Sequence, residues 1–301
     1  MNQIVGLVPV LATPFESDAS LDLASLRSLV EFELASGADG VGLFGTASET
    51  FALSRAERLS ILKEVNGVVN GEVLLVLGVN GTSTVTALEQ VKEFSACEGA
   101  TLMVMPSASS TLSPAQLFEY YGALAEEALT HGQEIMVQDA PLTSGVVLST
   151  DTIAALSVIP GVTSIKVEAP PTVPKIEAIL DGAATIRVLG GQNALFVLDE
   201  YSTGAVGTMP ACEFTDQLRP ILDNWAAGRV VEARAAFTLL LPLIVHGLQS
   251  GYAWAVHKEV LVKRGIIASG TVRLPARRMT AALRKNLDAV MADNGIREIV
   301  A

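Results

Sequence analysis

The sequence predicts an α/β protein, a (β/α)8 TIM barrel with a C-terminal helical extension, and three observations carry that expectation. From the amino terminus to Met209, short aliphatic runs alternate with longer stretches of helical periodicity, the pattern of βα units around a parallel sheet. The aliphatic runs number eight, which is the barrel count. From Asp216 onward strand signals stop and only helical periodicity continues. A chain of 301 residues is long enough to bury a large core without metal or disulfide. Hydrophobic residues make up 50% and charged residues 17%, below the roughly 25% of an average globular protein. With aromatics at 5%, the core is aliphatic, and disorder, a collagen-like repeat and a coiled coil are excluded.

The expected strands are Val5–Leu11, Gly40–Phe44, Val73–Val79, Thr101–Met105, Glu134–Gln138, Val162–Val167, Ile186–Leu189 and Ala205–Met209. Most are continuously apolar rather than alternating, as strands covered on both faces should be. Between them Leu23–Ala35, Arg55–Val68, Val85–Cys97 and Pro114–Thr130 read as helices. Ser54 and Glu57 have the spacing of a capping box, and Pro114 after Ser113 suits a first helical position. An open doubly wound sheet competes with the barrel, but its first turn should be glycine-rich, and here that turn reads Ala12-Thr13-Pro14-Phe15. Gln217–Ala227, Val231–Leu240, Tyr252–Arg264 and Thr280–Ala292 are the helices of the extension. The expected division is a catalytic barrel over residues 1–215 and a helical region over 216–301.

Lys plus Arg number 20 and Asp plus Glu 32, so the net charge is 20 − 32 = −12, which repels a phosphate backbone unless the basic residues cluster. The densest basic stretch, Arg277, Arg278, Arg284 and Lys285, is broken by apolar residues and reads as a solvated helix face, so nucleic acid is not an expected partner. Cys97 and Cys212 lie far apart without C-x-x-C spacing, which points to neither a disulfide nor a zinc site and fits a reducing compartment. The amino terminus lacks the pattern of a signal peptide, and the longest apolar runs, such as Leu239–Val245, fall short of the ~20 residues that span a bilayer. A cytoplasmic protein with no membrane partner is expected.

In a barrel the chemistry sits at the carboxyl ends of the strands. The sixth strand carries Lys166 in a mostly uncharged run, with Glu168 two residues on and therefore on the same strand face. One reading is structural, a lysine reaching out from a strand end and paired with the glutamate. The other is catalytic: desolvation disfavours the ammonium and leaves an amine able to attack a ketone, while Glu168 moves protons beside the resulting imine. The second strand ends in Gly45-Thr46-Ala47-Ser48-Glu49, a small-residue turn that can cradle a carboxylate or simply serve as a strand-to-helix turn, with Glu49 capping the next helix. Gln138 either binds a substrate hydroxyl or fills a polar slot, while Asp139 faces away and caps a neighbouring segment. Gly191-Gln192-Asn193 offers amide groups to distal hydroxyls or is a plain loop. His131, His246 and His257 lie away from strand ends and read as structural or surface residues, Lys175 as solvated, and Tyr120 and Tyr121 as core or subunit-contact residues.

Several of these segments together resemble the dihydrodipicolinate synthase and N-acetylneuraminate lyase superfamily over nearly the whole chain. They are Val8-Pro9-Val10-Leu11-Ala12-Thr13-Pro14-Phe15, the Gly45–Glu49 turn followed by Leu53-Ser54-Arg55-Ala56-Glu57-Arg58, the Lys166 strand and Gly204-Ala205-Val206-Gly207. The resemblance implies a barrel, usually tetrameric, in which Lys166 forms a Schiff base with a 2-keto acid and Thr46 within its turn helps hold the substrate carboxylate. It implies no metal and no organic cofactor, because the imine is itself the electron sink.

The chain departs from the usual pattern at three places. Gln138-Asp139-Ala140-Pro141 stands where Tyr-Asn-x-Pro is usual, Pro106-Ser107-Ala108 where a tyrosine pair follows the fourth strand, and Thr143 where the synthases carry an arginine. Synthase activity itself is therefore not expected. The stretches Ile135–Pro141, Lys166-Val167-Glu168-Ala169-Pro170, Arg219-Pro220-Ile221-Leu222 and Gly265-Ile266-Ile267-Ala268-Ser269 are similar to the sugar-acid dehydratase branch that acts on L-2-keto-3-deoxyarabonate. That branch implies dehydration, with Lys166 as the Schiff-base amine and Glu168 as base, while the Gly45–Glu49 turn is closer to the general family; Gly45, Thr46, Ala47, Ser48, Gln138 and Gly191 are expected around the substrate. Alternatives are a pyruvate-releasing aldolase, an amine-releasing relative acting on a hydroxy-pyrroline carboxylate, and a ligand-binding homologue without catalysis.

Overall fold

Eight parallel strands pair in the order β1-β8-β7-β6-β5-β4-β3-β2 in the computed structural model, which describes residues 3–106, 112–182 and 185–295. They are β1 Gly6–Leu7, β2 Gly40–Leu43, β3 Leu74–Val79, β4 Thr101–Val104, β5 Glu134–Asp139, β6 Val162–Val167, β7 Arg187–Gly190 and β8 Gly207–Thr208. The helices between them are α1 Leu23–Ala35, α2 Arg55–Val69, α3 Thr84–Glu93, α4 Pro114–Thr130, α5 Pro141–Ser144, α6 Thr150–Ser157, α7 Thr172–Gly182 and α8 Val197–Thr203. Four more follow: α9 Thr215–Ala226, α10 Val230–His246, α11 Ala253–Lys263 and α12 Ala281–Asp293. This is a nearly closed (β/α)8 barrel with C-terminal helices, as expected.

The chain falls into two units. The first, Met1–Val8, Asp39–Gly45 and Leu74–Met209, holds every strand and α3 to α8. Its strands are buried almost throughout, which is why they read as apolar runs. β1 and β8 are shorter than expected. Regular pairing is interrupted at Pro210, which has no N–H to donate, although Val8 still donates to the Thr208 carbonyl at 3.0 Å. The edge strands β1 and β2 meet without a ladder: the Asp39 N–H donates to the Leu7 carbonyl at 2.8 Å, and Asp39 Oδ2 accepts the Leu7 N–H at 2.7 Å. Gly6, at φ +78°, permits this seam, since a Cβ there would lie 2.0 Å from Asp39 Oδ2. α3 ends earlier than expected because Phe94 leaves the helix to stack on Phe44, with centroids 5.4 Å apart. Tyr121 is core, its hydroxyl donating to the Val104 carbonyl at 3.0 Å.

The second unit, Pro9–Ala38, Thr46–Val73 and Pro210–Ala301, contains α1, α2 and α9 to α12. Ser54 and Glu57 form the expected capping box on α2. α10 runs past the expected end through Pro242 to His246, the proline being carried inside the helix. Glu49 does not cap a helix. It sits in the left-handed region at φ 54° and pairs with Lys258, a side chain with no exposed surface. Arg273 ties this unit together, donating to the carbonyls of Ala19 and Ala52 and to Glu57 Oε1 at 2.6 Å. The Arg273 guanidinium accordingly holds the Glu57 carboxyl down at about 2. His257 bonds Glu213 Oε1 at 2.7 Å, a structural role as expected.

In the first unit Glu200 of α8 is buried over Gly190, where a Cβ would lie 1.9 Å from Glu200 Oε2. Burial raises this carboxyl from its ordinary 4.5 to about 7, the Thr172 hydroxyl offsetting part of the effect and Asp199 adding to it. The folded state therefore holds the proton more tightly than the unfolded chain. Its contribution to stability is full at low pH and is lost as pH rises from 4.5 through about 7. Glu200→Gln removes that loss. The difference in thermal midpoint between variant and wild type should widen in the variant's favour from pH 5 to pH 8, by on the order of 5 °C, in melts followed by circular dichroism.

Candidate active site at the strand ends

The parallel register sets Gln138, Lys166 and Leu189 side by side on β5, β6 and β7. Lys166 is 5% exposed and Gln138 1% exposed. Glu168, one residue past β6, lies on the same face as Lys166, and its Oε1 is 3.1 Å from Lys166 Nζ. Its other oxygen, Oε2, accepts the Gln138 Nε2 amide at 2.8 Å. Each carboxylate oxygen thus has its own donor, which fixes the direction of the group.

The Glu168 main chain is held as firmly as its side chain. Its N–H donates to the Asp139 carbonyl at 2.9 Å, and its carbonyl accepts Gln192 Nε2 at 2.8 Å. Gly191 supplies a wall without a side chain, since a Cβ there would lie 2.2 Å from Glu168 Cγ. The turn after β7 then runs left-handed through three residues, none of them glycine: Gln192 at φ 45°, Asn193 at 55° and Ala194 at 61°. Such a conformation costs roughly 1–2 kcal/mol per residue, so the run persists only because its surroundings impose it. The sequence gives Asn193 as a hint of this turn, but no signal for its handedness at Gln192 and Ala194, and none for the contact with Glu168.

Asp139 alternates to the opposite face from Gln138. It pairs with Lys175 at 2.9 Å and lies against the Leu148 main chain, and Lys175 also donates to the Leu148 carbonyl at 2.5 Å. Lys175 is therefore not a solvated lysine but the clamp that fastens the stretch after β5 back onto the strand. Burial pushes the Asp139 carboxyl up, and Lys175 pulls against it.

Gln138, Lys166, Glu168 and Gly191 are thus brought together. Gly45 follows β2, its nitrogen facing Gly78, where a Cβ would lie 3.1 Å away. Thr46, Ala47 and Ser48 belong to the second unit and form one 3-10 turn there. The Thr46 carbonyl accepts Trp254 Nε1 at 2.6 Å, and Ser48 Oγ donates to the Leu11 carbonyl at 2.7 Å, leaving this hydroxyl able only to accept from anything else. Thr143 sits in the short α5. Ser107 and Ala108 lie outside the described residues. Among the described residues no group of three or more His, Cys, Asp and Glu could hold a metal ion, and no helix is long and apolar enough to cross a membrane.

The dihydrodipicolinate synthetase family profile matches residues 3–293. The chain is 32% identical over 292 residues to the L-2-keto-3-deoxyarabonate dehydratase of Azospirillum brasilense, covering 95% of this chain and 93% of that protein. It is 28% identical over 284 residues to 4-hydroxy-tetrahydrodipicolinate synthase 2 of Halalkalibacterium halodurans, covering 93% and 95% respectively. Its structure is similar to that of the dihydrodipicolinate synthase of Rhodopseudomonas palustris, with a TM-score of 0.87 at 25% identity over 96% of this chain and 97% of that one.

The Asp139–Lys175 pair provides a test of the scaffold behind the site. Lys175→Met strands a buried carboxylate and should cost about 3 kcal/mol in urea unfolding, whereas Asp139→Asn combined with Lys175→Met should recover at least half of that loss.

Proposed function

The chain belongs to the dihydrodipicolinate synthetase family, and we propose that it is a Schiff-base-forming hydro-lyase acting on a 2-keto-3-deoxy sugar acid such as L-2-keto-3-deoxyarabonate. The observation that carries this reading is the approach of Glu168 Oε1 to within 3.1 Å of Lys166 Nζ, with Gln138 holding the other oxygen. Lys166, as the free amine, adds to the C2 carbonyl, and loss of water leaves a protonated imine that acidifies the C3 hydrogens. C3 is two bonds from the imine nitrogen, so a carboxylate oxygen that faces the nitrogen is within reach of a C3 hydrogen. Glu168 takes it, and the enamine expels the C4 hydroxyl, which leaves as water with the proton that Glu168 returns. With the arabonate-derived substrate, tautomerisation of the C5 alcohol and hydrolysis of the imine release 2-oxoglutarate semialdehyde and restore Lys166.

Gln138 separates this reading from the synthases. A primary amide donates and accepts hydrogen bonds but does not titrate, so it can aim Glu168 and cannot relay a proton. The 32% identity to a dehydratase supports the choice, while synthases match at comparable identity, so the substrate class rests on the residues around Lys166. Cleavage of C3–C4 to release pyruvate begins from the same imine but needs a base at the C4 hydroxyl. Gly45, Thr46, Ala47, Ser48 and Gly191 complete the proposed substrate-binding set. The proposed assembly is a homotetramer, a reading supported by α10, which exposes Val231, Leu239 and Val245.

Borohydride reduction with L-2-keto-3-deoxyarabonate should attach the substrate skeleton to Lys166, as read by peptide mass mapping, and 2-oxoglutarate semialdehyde should accumulate in untreated reactions. Pyruvate as product would move the reading to an aldolase, and a folded protein that traps no keto acid would remove the Schiff base altogether. Glu168→Gln should keep the trapped adduct while lowering kcat by about 10²–10⁴-fold. For the assembly, Leu239→Glu should reduce the mass measured by light scattering relative to wild type.

A further inference from the structure

We propose that Gln192 is a positioning residue for Glu168, and that the left-handed turn at the end of β7 exists to place it. The inference rests on the Schiff-base reading and extends it to a residue outside the reacting pair. Glu168 follows the last residue of β6, so no strand ladder fixes its carbonyl side. Its N–H is anchored to β5 through the Asp139 carbonyl at 2.9 Å. Its carbonyl accepts the Gln192 side-chain amide at 2.8 Å. Gln192 can deliver that amide because its backbone sits at φ 45°, turned back toward β6, and the same turn presses the bare Cα of Gly191 against Glu168 Cγ. The main chain of Glu168 is thereby clamped between two strands, and its side chain is left one direction, toward Lys166 and Gln138. The backbone conformation is costly for three consecutive residues that are not glycine, and this contact gives it a purpose.

The test isolates proton abstraction from imine formation. Pyruvate is the probe: Lys166 adds to its C2 with loss of water, Glu168 removes a C3 proton to give the enamine, and return of a solvent deuteron leaves label in the methyl group. Gln192→Met keeps the side-chain length and removes the donor. It should trap pyruvate on Lys166 under borohydride as the wild type does and unfold at the same temperature, yet exchange the methyl hydrogens about 10–100-fold more slowly, the scale expected of a displaced catalytic group. Gln192→Asn, which tolerates the left-handed backbone and is too short to reach the carbonyl, should show the same loss and serves if the methionine variant does not fold. In a Glu168→Gln background Gln192→Met should have no further effect on exchange.

Undiminished exchange in both variants overturns the proposal. So does a parallel fall in trapping and exchange, which would make Gln192 a general support of the fold, or an additive loss in the double variant. Absence of any trapped adduct in the wild type overturns the Schiff-base reading beneath it.

Discussion

An eight-stranded parallel sheet becomes a barrel only if its two edges find each other, and here one carboxylate makes that join. β1 and β2 share no ladder; the Asp39 side chain stands in for the missing backbone acceptor opposite the Leu7 N–H, and its own N–H completes the pair. Everything inside the strands depends on this seam. Open edges would expose unpaired backbone groups to water and hydrate the interior into which Lys166 projects. The seam also explains a glycine that the apolar pattern of the first strand does not call for, because any side chain at Gly6 would occupy the space of Asp39 Oδ2.

Once the sheet is closed, register does most of the assembly of the site. Gln138 and Lys166 are neighbours because β5 and β6 pair as they do, despite the irregularity between Ile135 and Met136. Glu168 reaches the same place from just beyond β6. The result is a carboxylate held between a lysine and a neutral amide, one donor on each oxygen. The polar pair on the opposite face of β5, Asp139 with Lys175, and Glu200 of α8 packed over Gly190, are read as scaffold rather than site. A charged residue near a barrel strand end thus has one of two fates, decided by the parity of its position along the strand.

That parity is why Lys166 and Glu168 are legible in the sequence: two residues apart on an apolar strand, they must share a face. The strands themselves are legible because burial on both sides leaves continuous aliphatic runs, and misjudged element ends have local causes in Pro210 and the Phe94 stack. What escapes is whatever depends on distant partners. Nothing near Lys175 announces Asp139, and nothing near Glu49 announces Lys258, so one reads as solvated and the other as a cap. Pro242 marks a helix end by propensity, yet α10 continues through it. Gln192 is hidden for a related reason, since its conformation is one that glutamine rarely adopts alone and is set by residues it meets only in the folded chain.

The run from Gln192 to Ala194 has an evolutionary side. A glycine at Ala194 would relieve the close approach of Cβ to the backbone, although its greater freedom in the unfolded chain returns part of the gain. Selection for thermal endurance alone would drift this turn toward glycine, whereas selection for turnover opposes any loosening of the frame around Glu168. On the proposed role of Glu168, Ala194 is a position where durability and speed pull in opposite directions, and thermally selected lineages of this fold should record the contest there.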